Sequence, residues 1–111
     1  LMDLTEVEKG VLSVMVNYGP SWFFRAIDPA TPTLNGKTIF STTHEVDGKN
    51  FLVPTIRMKN GKLKDYDDAA FQEAVDNQDY VILPDDVNPD DFSQTLSNII
   101  DKFRKRPIDV G

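Results

Sequence analysis

Three similar corners dominate the middle of this sequence: Leu34-Asn35-Gly36-Lys37, Val46-Asp47-Gly48-Lys49 and Lys59-Asn60-Gly61-Lys62. Asn-Gly and Asp-Gly favour two-residue hairpin turns because both central positions need a positive φ, which Asn, Asp and Gly tolerate best. The corners stand 12 and then 13 residues apart, which leaves room for one strand between each pair. The spacing therefore predicts an antiparallel β-meander of three to four strands. With Asp47-Gly48 as the loop, Val46 faces Lys49, His44 faces Phe51, Thr42 faces Val53 and Phe40 faces Thr55 on one side of the sheet. Ile39, Ser41, Thr43 and Glu45 oppose Ile56, Pro54, Leu52 and Asn50 on the other. Asn60-Gly61 similarly sets Met58 against Leu63. Both faces are partly apolar, so helices are expected to cover at least one. Pro54 has no N–H and belongs at a bulge or where the strand turns away from a partner.

Helical signals flank the meander. At the start, Leu4, Val7, Val11, Leu12, Val14 and Met15 recur at near-helical spacing. Asp3 with Glu6, or Thr5 with Glu8, supplies a capping box, and Gly19-Pro20 a stop. Gly10 weakens the middle of this helix. Residues 21–27, SWFFRAI, read as a strand or buried extended segment, and 28–33 as a Pro-broken loop. A short middle helix is expected over 65–77, with Ala70, Phe71, Ala74 and Val75 as its buried stripe, followed by a short strand at 80–83. The last helix has Asn88 as cap, Pro89 at its first position and Asp90 and Asp91 in its first turn. Its packed face is Phe92, Leu96, Ile99, Ile100 and Phe103, and Pro107 ends it. The expectation is one α+β domain over residues 1–111.

Composition narrows the function classes. Cysteine is absent, which removes disulfides, thiolate nucleophiles and zinc–cysteine sites. No apolar run reaches the ~20 residues of a membrane helix, and the start lacks the basic and apolar regions of a secretion signal, so a cytoplasmic setting is expected. Leu1 ahead of Met2 fits either an added residue before a native start or a segment of a longer protein. A net charge of −6 argues against direct nucleic-acid binding, which needs cations to replace counterions on phosphates. Ten acidic residues lie between Asp65 and Asp91, while Lys102, Arg104, Lys105 and Arg106 form a basic cluster. That cluster complements the dipole of the last helix, or alternatively meets an acidic partner.

No catalytic, cofactor or metal site is read from the residues. His44 is the single histidine, and Ser41, Thr42 and Thr43 beside it alternate in direction along the strand. The stretch 86–90 resembles the opening of a calcium loop but places Asp91 where that loop needs Gly and Ser97 where it needs Glu; a helix cap accounts for the same residues. Phosphate-binding loops of the P-loop or dinucleotide type are missing from the sequence.

The segment 43–56, THEVDGKNFLVPTI, resembles a hairpin module of the form H-x-x-[DN]-G-K-x-x-x-x-P-T-I found in phage virion-associated proteins and large multidomain phage polypeptides. A further turn and an acidic helix commonly follow there, as Asn60-Gly61-Lys62 and residues 65–77 do here. The resemblance covers about a third of the chain and implies a phage or prophage setting, in host cytoplasm or virion, rather than a reaction. The leading expectation is a non-catalytic module acting by protein–protein contact or as a homo-oligomer. Trp22, Phe23 and Phe51 are candidate aromatic anchors provided they are exposed, and Asp67, Asp68, Asp85 and Asp86 candidate acidic contacts. Two alternatives stand beside it: an acidic inhibitor occupying a nucleic-acid-binding groove, and a carboxylate-dependent hydrolase.

Overall fold

The structure, a computed structural model, describes residues 3–32, 34 and 41–105. Helix α1 (Glu6–Tyr18) and helix α2 (Ser21–Ile27) open the chain. Strands β1 (Ser41–Val46) and β2 (Lys49–Pro54) form the first hairpin, and β3 (Ile56–Lys59) and β4 (Lys62–Asp65) the second. A 3-10 turn (Asp67–Ala69) leads into α3 (Ala70–Asp76), then β5 (Val81–Ile82) and α4 (Pro89–Lys105). The fold is the expected α+β class. The Asn35-Gly36 corner, the Phe40 and Ile39 pairings, Arg106 and the stop at Pro107 lie outside the described residues.

Both described corners adopt the backbone their residues favour. Asp47 and Gly48 have φ of 52° and 78°, and Asn60 and Gly61 have 52° and 79°. The register follows from the corners: β1 and β2 pair antiparallel from Val46↔Lys49 to Ser41↔Pro54, and Met58 pairs with Leu63. The strands divide over two sheets. One has the order β1-β2-β5; the other is the β3-β4 hairpin alone. The break falls at Thr55, directly after Pro54. Asn50 turns its carbonyl toward Leu83 N–H (2.9 Å), so by alternation Pro54 turns its missing N–H to that same side, past Val81, where the β5 ladder has already ended.

Period-two alternation gives the central sheet two apolar faces, and helices cover both. Leu52, Val81 and Leu83 enter the main core with Val11, Met15, Trp22, Phe23, Phe92, Leu96 and Ile99. On the opposite face Val53 meets Ala70 and Ala74 of α3, with Phe51, Phe71 and Tyr80 packed around them. Each large apolar side chain taken fully out of water contributes about 1.5–3 kcal/mol, so the α1–α2–α4 side carries most of the stability.

Residues 21–27 correct the sequence reading. They form a helix, not a strand. Seven residues hold too little periodicity to separate the two, but the burial is helical: Trp22, Phe23 and Ala26 face inward while Ser21 and Phe24 face out. The stripe of α1 is also narrower than read. Val7 is 68% exposed, and Glu8 is buried beside it.

Of the two capping boxes written for α1, the fold uses Thr5 and Glu8. Glu8 N–H donates to Thr5 Oγ1 at 3.1 Å and Thr5 N–H to Glu8 Oε1 at 2.8 Å. The same Oε1 accepts from Lys102 Nζ at 2.6 Å, and Lys102 also donates to the Asp3 carbonyl. The last turn of α4 thus fastens the start of α1. The Lys102 ammonium, followed by the Thr5 N–H, holds the Glu8 carboxyl below its ordinary value near 4.5 against the opposing effect of burial. A carboxyl depressed in the fold stabilises it fully above the unfolded value and loses that contribution as pH falls through the folded value. The stability difference between wild type and Glu8→Gln is therefore expected to shrink from neutral pH to about pH 3. Urea titrations at both pH values check it.

Candidate functional site

Among the described residues two depressions border α1, one along its first turns and one at its C-terminal end. The first is a groove of about 410 Å³ between α1 and the segment entering α4. Val7, Gly10, Val11 and Val14 form one wall; Pro84, Val87 and Phe92 form the other. Local sequence explains both walls. Gly10 sits where α1 passes the groove, and a Cβ built there meets nothing within 4 Å, so the missing side chain is empty space rather than a close approach. Across the groove, Asn88 Oδ1 accepts from the N–H groups of Asp90 and Asp91 at 2.9 and 3.1 Å, which starts α4 and brings Phe92 to the wall. Glu6, Asp86 and Asp91 complete the lining. The result is an apolar trough with acidic groups around it.

The second depression, about 490 Å³, lies where the end of α1, the start of α2 and the approach to β5 meet. Its lining includes Arg25, Arg57, Asp79, Ser21, Tyr18 and Tyr80. Arg57 Nη1 and Asp79 Oδ2 are 2.9 Å apart, with side chains 11% and 9% exposed, so this pair ties β3 to the chain before β5 away from bulk water. A carboxylate-dependent hydrolase needs two carboxylates across a cleft; among the described residues the second depression has Asp79 alone, taken up by Arg57, whereas the first brings Glu6, Asp86 and Asp91 to one groove.

The residues singled out from sequence fall in different places. Trp22 and Phe23 are wholly buried, so the exposure that would make them anchors is lacking. Phe51 is half-buried, its ring 5.6 Å from Phe71 and 5.2 Å from Tyr80. His44 stacks on Phe71 at 4.2 Å between ring centres, an exposed strand residue covering an aromatic one. Asp67 and Asp68 lie on the 3-10 turn before α3. Asp85 accepts from Lys49 Nζ at 3.2 Å, pinning the first hairpin, whereas Asp86 lines the apolar trough. Among the described residues no group of three or more His, Asp or Glu side chains could hold a metal ion.

The basic cluster has a use that sequence reasoning missed. Besides Lys102, Arg104 donates to the carbonyls of Ala26 (3.0 Å), Asp28 (2.8 Å) and Thr31 (2.7 Å), gathering the end of α2 and the loop after it. Lys105 pairs with Asp101 within the helix. The available signal was a fork-shaped cation opposite a helix end whose carbonyls need partners. Among the described residues no helix is long and apolar enough to cross a membrane. In comparisons with protein-family models, curated proteins and solved structures, the chain matches none.

Proposed function

We propose that this chain is a non-catalytic protein-binding module, and that the trough between α1 and the start of α4 receives a segment of a partner protein with apolar side chains flanked by Lys or Arg. The observation that carries the reading is the pairing of an apolar floor with Glu6, Asp86 and Asp91 on one concave surface. Val7, two-thirds exposed at its edge, adds apolar area that water solvates poorly. Apolar side chains in the trough would supply affinity, and the acidic surround would select cations and reject acidic segments. The net charge of −6 favours the same partner at longer range and disfavours direct contact with nucleic acid. The hairpin resemblance adds a phage or prophage setting, in host cytoplasm or virion.

A synthetic amphipathic peptide of Leu and Lys tests the reading by fluorescence anisotropy, with a Leu/Glu peptide of the same pattern as control. The Leu/Lys peptide should bind, more weakly as salt rises, and the Leu/Glu peptide should not. Gly10→Leu places a side chain in the empty part of the trough and should weaken binding about tenfold or more. Gly10→Ala serves as the folding control and should raise stability by about 0.5–1 kcal/mol, since the new methyl meets nothing and helix propensity improves. Equal binding of both peptides, or undiminished binding by Gly10→Leu, would overturn the reading.

A further inference from the structure

We infer that the second depression binds a small molecule through a singly charged oxyanion, a carboxylate or a phosphate ester. The charge balance of its lining is the first reason. Arg57 and Asp79 neutralise each other at 2.9 Å, and among the described residues Asp79 is the sole carboxylate there. Arg25 is left as an uncompensated cation in a concave site, within a chain whose net charge is −6.

Arg25 itself is the second reason. Its guanidinium makes no hydrogen bond or ion pair among the described residues, and its Nε is shut off from solvent without a partner. A guanidinium carries five donors in a rigid fork, and leaving donors unmet away from water is costly. By contrast Arg57 donates to Asp79, and Arg104 to three carbonyls, all within 3.0 Å. The remaining donors of Arg25, which no protein acceptor takes, complement a planar oxyanion held through two parallel N–H groups.

The remaining lining suits such a guest. Ser21, Tyr18 and Tyr80 bring hydroxyl groups that can donate to an oxyanion or accept from the rest of the molecule. A space of about 490 Å³ lies within the range of small-molecule sites. One unopposed positive charge favours one negative charge, so a carboxylate or singly ionised phosphate fits better than a polyphosphate.

NMR titration of the full ¹⁵N-labelled chain tests this, with sodium acetate in one arm and sodium phosphate in the other, at ionic strength held constant with sodium chloride. Saturable shifts are expected at Ser21, Gln78, Tyr80 and the Arg25 side-chain N–H. The arm that saturates at lower concentration identifies the oxyanion. Arg25→Gln should weaken that binding about tenfold or more. Arg25→Lys keeps the cation at the end of α2 but removes the fork, and should also bind more weakly than wild type. It carries the test should Arg25→Gln fail to fold. Shifts that grow linearly in both arms, or saturable shifts of undiminished affinity in whichever of the two variants folds, would overturn the inference.

Discussion

Asp79→Ala is expected to cost the fold about 3–5 kcal/mol, the range found when one member of a buried ion pair is removed and the other stays. The magnitude rests on burial. Both side chains are near one-tenth exposed, so removing the carboxylate leaves the Arg57 charge largely out of water and unpaired. An exposed pair such as Lys9 with Glu6 would give under about 1 kcal/mol. The double variant Arg57→Met with Asp79→Leu removes both charges and keeps apolar volume, so it should recover most of the loss. Urea unfolding of the three proteins checks the expectation; a double variant as unstable as Asp79→Ala would show that the charges do more than cancel each other.

Trp22→Ala should be comparably damaging, at about 3–5 kcal/mol, because it empties the largest wholly buried side chain in the core. Trp22→Phe separates the two parts of that cost. The indole Nε1 is buried with no acceptor, so Phe removes an unmet donor while retaining most of the apolar area. The Phe variant should lose less than half of what the Ala variant loses, read from thermal and urea midpoints. A Phe variant as unstable as Ala would mean that shape at this position outweighs both area and polarity.

Trp22 also shows where sequence ends and tertiary structure begins. The hairpins were legible down to residue pairs, because Asp47-Gly48 and Asn60-Gly61 constrain local backbone and a two-residue loop leaves one register. Helix α4 was legible because cap, Pro89, first-turn aspartates and a wide apolar stripe agree. Residues 21–27 were not, since a seven-residue apolar run suits either a strand or a helix until something decides which side chains face inward. That decision comes from α4 and β2, distant in sequence. The division of the strands at Thr55 was half legible: Pro54 announced an interruption but not that a second sheet would follow.

The candidate sites were less legible than the fold. Asp86 was marked as an acidic contact, but the trough it lines depends on Val7 being left outside the core, and helical spacing had counted Val7 inside it. Glu8 takes the buried place instead because Lys102, 94 residues away, compensates its charge. In the sequence Arg25 is one member of the run 21–27, with nothing local to set it apart. Its lack of an acceptor is a property of three-dimensional surroundings.

The arrangement around Lys102 and Arg104 sets an order on biosynthesis. Helices α1 and α2 are completed by α4, which is synthesised after them: Glu8 waits for Lys102, and the carbonyls after α2 wait for Arg104. Until then the nascent chain carries Trp22 and Phe23 without the α4 residues that cover them, while both hairpins can already close locally. A chain truncated before residue 92 should thus present sticky α1 and α2 beside locally closed hairpins, and docking of α4 is the event that completes the core.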